Sequence, residues 1–279
     1  MSRWLKRNYR HFLWIGEVIL IYDDLLAHHK GNMKWLLHYE GTAERVSDKQ
    51  IEIKNGDASL TVLSLFPAEI HVEEEIGLVD HNPDQKVNYF TLTTDGEERS
   101  VKYLNAILPH DPYGVMPLPL VSAKEGDEWI GAQIIHAGEH TDVYYNLRAD
   151  GRVMHRNSIK TIDGWETDAY LLAITRKEGA DPSNLSAIER VFIGYGSFLR
   201  RDGAVCYSSL SKTTAVFSWE ESALRISISG QPTGKAEIMP FKTTTAVILN
   251  GGAPQAADFN QMGAIQLRYK TAMKSKRPG

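Results

Sequence analysis

The sequence contains one cysteine, Cys206, among 279 residues. A single thiol excludes an intrachain disulfide and any zinc site built on cysteines. Cys206 lies in the strand-like run Ala204-Val-Cys-Tyr207 with no activating neighbour, which predicts a buried, inert side chain. Positive charge is not in excess either. A formal net charge of -4 and a pI near 6.2 leave no electrostatic footprint for nucleic acid. The basic run at the end, Lys270, Lys274, Lys276 and Arg277, is short and reads as a solvated terminus. Long apolar runs are also missing. Phe12 to Tyr22 is broken by Gly16-Glu17 and falls well below the ~20 residues of a membrane span. Basic residues before it imitate a secretory leader, but Asp23-Asp24 stand where a small-residue cleavage site belongs. The segment therefore reads as folded structure, with no membrane span or targeting signal, and localisation stays unknown. The acid pair at the end of this apolar run is expected to serve a turn. Helical periodicity is nearly absent, Asn184 to Arg190 being the best candidate for a short helix.

What fills the chain is a period of two. Ile51 to Lys54, Ile70 to Glu73, Leu224 to Ser229 and Ile265 to Tyr269 alternate apolar with polar side chains, which places them on opposite faces of half-buried strands. Val18 to Tyr22, Leu60 to Phe66, Tyr170 to Ile174 and Ala246 to Leu249 are continuously apolar and suit strands covered on both faces. Between such runs stand Asn55-Gly56, Asp95-Gly96, Asp150-Gly151, Asp163-Gly164, Asp202-Gly203 and Asn250-Gly251, the dipeptides of tight hairpins. The pattern predicts an all-β fold, a large antiparallel β-sandwich with almost no helix. One domain over 1–279 is expected, with the proline-rich stretch 108–121 as the place where it could subdivide.

Several segments occur in a suggestive order: Arg10-His-Phe-Leu-Trp14, Val18 to Leu25, Trp35-Leu-Leu-His38, Leu63 to Pro67, Tyr89 to Thr93 and Lys102 to Pro109. Over residues 8–110 this order resembles the C-terminal β-sandwich of heparinase II/III-like polysaccharide lyases, oligo-alginate lyases among them. The resemblance implies a supersandwich-like scaffold and β-elimination on uronic-acid polysaccharides in the intact enzyme. It also implies an acidic polysaccharide or oligosaccharide as ligand, and a helical toroid supplied by a missing N-terminal part or another chain. Members of the family are typically periplasmic or secreted. Family chemistry needs a neutralised carboxylate, a base for the C5 proton and an acid for the leaving oxygen. The His-x-His-x-Asp and His-Asn-Thr segments that contribute a histidine and metal ligands have no counterpart here. His28 and His29 are adjacent, and His81-Asn82 is followed by Pro83. The expectation is a catalytically incomplete, truncated module with no catalytic residue assigned and no cofactor of its own, although the intact family enzyme can hold a metal such as zinc. The alternative is a stand-alone carbohydrate-binding or interaction module.

Residues for such binding are sought where aromatic, amide and guanidinium groups concentrate. Tyr145, Arg148, His155 and Trp165 are the candidates for a sugar, whose ring faces stack on aromatics while Arg takes carboxylates. His136 and His140 flank an Ala-Gly turn and are the candidate metal pair, with Glu139 or Asp142 in support.

Overall fold

The computed structural model describes residues 4–79, 82–114, 117–148, 159–231 and 233–270. The chain divides into two compact units, Met1–Ala123 and Lys124–Gly279, with the boundary just past the proline-rich stretch. The all-β expectation holds in both.

The first unit contains β1 (Leu5–Ile15), β2 (Val18–Gly31), β3 (Lys34–Tyr39), β4 (Thr42–Ser47), β5 (Gln50–Asn55), β6 (Ala58–Phe66), β7 (His71–Val79), β8 (Asn82–Thr93) and β9 (Glu98–His110). Six of them form a sheet in the order β1-β2-β9-β6-β5-β4, and β3-β8-β7 form a second, smaller sheet. Both are antiparallel. Apolar side chains of the two sheets meet in one core: Trp35 and Tyr39, Val72, Phe90 and Leu92 from the small sheet, Ile51, Val62, Val101, Tyr103 and Ile107 from the large one. β1 is an edge strand of the large sheet.

The second unit continues with β10 (Leu120–Gly126), β11 (Trp129–His136), β12 (Glu139–Asn146), β13 (Lys160–Ile162), β14 (Trp165–Thr167), β15 (Leu171–Lys177), β16 (Ile188–Arg201) and β17 (Ala204–Glu220). It ends with β18 (Ala223–Ser229), β19 (Thr233–Ile238), β20 (Ala246–Leu249), β21 (Gln255–Ala256) and β22 (Ile265–Lys270). All thirteen belong to one hydrogen-bonded sheet. It closes into a sandwich because its two longest strands belong to both layers. The first half of β16 pairs β15, and its last residues pair β14. The second half of β17 pairs β18, while Tyr207 to Ser209 pair β19. Register breaks between Ile193 and Phe198 mark the bend, as bulges do where a strand changes sheets.

The corner is Gly194-Tyr195-Gly196. A Cβ on Gly196 would lie 2.7 Å from Ile193 Cγ2 and 2.8 Å from Ala169 Cβ, so only glycine lets the backbone turn this tightly. Asp168 fastens it, accepting from the Ser197 amide and hydroxyl, each at 2.7 Å. Inside the fold-over lie Tyr144, Trp165, Leu199, Tyr207, Phe217, Trp219 and Ile226.

Asp163-Gly164 and Asp202-Gly203 make the tight turns their sequence implied, with positive φ at both residues of each pair. One strand pair departs from the antiparallel expectation: β18 and β20 are parallel. The helix expected over 184–190 is reduced to a single 3-10 turn, Leu185–Ala187, whose start is capped by the Asn184 side chain. Ile188, Val191 and Ile193 instead enter β16, because burying these β-branched side chains against β15 outweighs a marginal local helix.

Candidate functional site

In the first unit a cavity of about 590 Å³ opens where the chain crosses from the large sheet to the small one. Its walls come from the start of β1 (Trp4, Leu5, Asn8, Arg10), the end of β2 (Asp23, Leu25, Ala27, His29, Lys30) and the entry to β3 (Asn32, Met33, Lys34, Trp35). Two irregularities make the space. An extra residue in β1 between Leu5 and Arg7 puts Leu5 opposite Ala27 and turns it to the cavity face. At the other end, β2 leaves the β9 ladder between Leu26 and Gly31, which lets His29 and Lys30 splay outward.

A fixed polar cluster organises the cavity. Asp23 is buried and accepts two bonds from Arg10, Nε to Oδ1 at 2.7 Å and Nη2 to Oδ2 at 3.0 Å. The indole of buried Trp35 donates to the same carboxylate at 2.7 Å, and the Arg10 guanidinium lies 5.8 Å from that ring's centroid. Tyr103 donates to the Met33 carbonyl at 2.6 Å and holds the crossover in place. Burial, then the nearby Asp23 charge, push the Tyr103 hydroxyl up to about 12, so it stays a donor at neutral pH. Asp23 is thus neutralised internally. Lys30 is exposed, with no carboxylate partner among the described residues, so the rim is cationic although the whole chain is acidic.

Asp23-Asp24 do not serve a turn as expected. They lie within β2 on opposite faces, both buried. Asp24 is paired with Arg7 at 2.8 Å and Lys102 at 2.5 Å, which is what permits a buried charge there.

Beyond Arg10 the same face of β1 carries Phe12 and Trp14. They lie opposite Ile21 and Ile19, which border the core between the two sheets. Phe12 is 66% exposed and Trp14 73%. The Trp14 indole is not loose, since its N–H donates to the Gly16 carbonyl at 2.7 Å. An exposed ring held in one orientation loses little entropy when something stacks on it.

The residues favoured from sequence lie elsewhere. Tyr145 is fully buried, on the face of β12 opposite to Tyr144. Trp165 is buried in the second unit's core, tilted against Phe241 with Arg201 over its ring at 5.1 Å. Neither presents a ring to solvent. Arg148 is exposed and paired with Glu128, which also accepts from Lys160 at 3.0 Å. His155 lies outside the described residues, as does His81.

His136 and His140 do flank a tight turn, Ala137-Gly138, with positive φ at both positions. In register, however, His136 faces Glu139 and His140 faces Ile135, which sends the two imidazoles to opposite faces of the hairpin. They do not converge as a zinc pair.

His140 belongs to a charged cluster instead. The Asp142 carboxylate, 1% exposed, receives Arg176 at 2.6 Å, Lys124 at 2.9 Å and His140 at 3.3 Å. Lys124 also reaches Asp163 at 2.8 Å, and the Tyr144 hydroxyl donates to Asp163 at 2.6 Å. Burial alone would raise Asp142, but the Lys124 hydrogen bond and the Lys124, Arg176 and His140 charges outweigh it and hold the carboxyl below the usual range. Burial, and then the Asp142 charge, push the Tyr144 phenol up. The cluster is held together by ion pairs among its own members.

Nothing in the sequence pattern singled out Phe12 and Trp14. In β1 both faces mix charge with apolar groups, Arg7-Tyr9-His11-Leu13 against Asn8-Arg10-Phe12-Trp14, so alternation alone could not tell the open face from the covered one.

No family model matches the chain, and no curated protein matches it. Among solved structures, a mutant of the heparan sulfate lyase HepC from Pedobacter heparinus is similar, with a TM-score of 0.40 and 17% identity. The match covers 52% of this chain and 24% of that one, so this chain spans about a quarter of the length of the protein it resembles. Among the described residues no helix is long and apolar enough to cross a membrane.

Proposed function

We propose that this chain is the β-sandwich module of a heparinase II/III-like polysaccharide lyase, catalytically incomplete by itself, and that it holds an acidic saccharide on the open face of β1. The observation that carries the reading is the cationic, indole-lined cavity beside the exposed rings of Phe12 and Trp14. Aromatic faces take the C–H surfaces of sugar rings, and Arg10, Asn8, Asn32 and Lys30 supply donors for hydroxyls and carboxylates. The ordered segments from Arg10 to Pro109 support the family assignment. Both oxygens of Asp23 are engaged by Arg10 and Trp35, which suits the cavity to binding rather than to proton abstraction. A helical toroid from elsewhere would supply the missing acid and base.

The test is calorimetric titration of the chain with alginate and heparan sulfate oligosaccharides, with neutral cello-oligosaccharides as control. Binding to an acidic series, weakened by Lys30→Glu and by added salt, is expected. No binding to any acidic series would refute the proposal. Ultraviolet absorbance should show no unsaturated uronate product from the chain alone, and turnover by it would refute the claim of incompleteness.

A further inference from the structure

We infer that β1 reads saccharide length, with one acidic unit seated in the cavity and the chain continuing along the strand over Phe12 and Trp14. The inference rests on the saccharide-binding reading above and adds where each part of the ligand lies. Arg10, Phe12 and Trp14 occupy alternate positions in the regularly paired part of β1, so their side chains emerge on one face about 6.7 Å apart, about 13 Å from first to last. That row extends away from the cavity whose wall Arg10 forms. The two parts differ in chemistry. The cavity sets the polar groups of Asn8, Lys30 and Asn32 into walls that also include Trp4, Leu5, Leu25 and Met33, and Lys30 gives it a positive charge. The row beyond Arg10 is apolar, Phe12 and Trp14 set against Ile21 and Ile19.

A disaccharide seats its acidic unit in the cavity without covering both rings, whereas a hexasaccharide covers both. A linear acidic saccharide can meet both parts at once: one unit's carboxylate is answered by Lys30 at the cavity, and the ring faces of later units lie on Phe12 and Trp14. The pinning of the Trp14 indole to the Gly16 carbonyl fixes the direction in which the stacking surface faces.

The experiment titrates the full chain with a disaccharide and a hexasaccharide of the same uronate series. The hexasaccharide is expected to bind about ten-fold more tightly. Trp14→Ala should remove most of that advantage and leave the disaccharide unaffected, while Lys30→Glu should weaken both ligands by a similar factor. Phe12→Ala, at an equally exposed position, is the second variant should Trp14→Ala misfold. Equal affinity for the two lengths, or an equal loss of both in Trp14→Ala, would overturn length reading while leaving saccharide binding standing. Absence of binding at either length would overturn both. Concentration-dependent dimerisation abolished by Trp14→Ala, with saccharide affinity unchanged, would assign the rings to a second copy of the chain and overturn the inference.

Discussion

Replacing Arg10 by alanine tests the buried carboxylate at the heart of the cavity. Asp23 is 2% exposed, yet it carries a charge that Arg10 answers with two hydrogen bonds and Trp35 with one. Removing one partner of a fully buried pair costs about 3–5 kcal/mol, because the remaining charge is stranded. The Arg10 side chain is 46% exposed, so solvent weakens the pair and water can enter when the side chain is cut back. About 2 kcal/mol is therefore expected for Arg10→Ala. Asp23→Asn keeps an acceptor for the Trp35 indole but loses the charge, at about 1–2 kcal/mol. In the Asp23→Asn background the arginine no longer answers a charge, and its loss should cost at most about 0.5 kcal/mol. The cycle predicts a coupling of about 1.5–2 kcal/mol, read from urea midpoints at constant slope. Additivity within about 0.5 kcal/mol would show that Asp23 is solvated and that the cavity floor is not organised as described.

Three further outcomes follow from the second unit. Asp142 is held below its unfolded pKa, so its contribution is complete above about pH 4 and is lost as pH falls through the lower folded value. Denaturant unfolding at pH 7 and pH 3 should show this loss, and an Asp142→Asn variant with the same acid sensitivity would contradict it. Gly196→Ala drives a methyl into Ile193 and Ala169 and should cost about 1–3 kcal/mol, seen as a lower Tm. An unchanged Tm would mean the corner has room to relax. Burial pushes the Cys206 thiol up to about 11, so an aromatic disulfide reagent should fail to label the folded chain at pH 8 and label it fully in denaturant. Rapid labelling of the native chain would disprove the burial.

The sheet architecture was largely legible because it rests on local signals: alternation in β5, β18 and β22, and turn dipeptides such as Asp163-Gly164. The site was not legible in the same way. Tyr145 and Trp165 have the chemical type that suits a sugar, but strand aromatics fill cores as readily as they face ligands, and these two are buried. Whether β1 shows one face or the other depends on which partner sheet covers it, and that is a long-range fact. The offset of His136 from His140 follows from the two-residue Ala137-Gly138 loop, which pairs each histidine with a different residue across the hairpin. Register could have been counted from that turn, and it is the one site feature the sequence already contained.

The fold-over at Gly194-Tyr195-Gly196 has a consequence for how the second unit comes apart. Because β16 and β17 each run through both layers, neither layer owns a complete set of strands. Peeling one layer away must tear ladders in the other, so partial opening offers no stable half-structure to stop at. Amide protection across β14, β15, β18 and β19 should then be lost at one common free energy, as a single foldon. A sequence change felt at one rim would register everywhere in the unit, and damage there would be all-or-none.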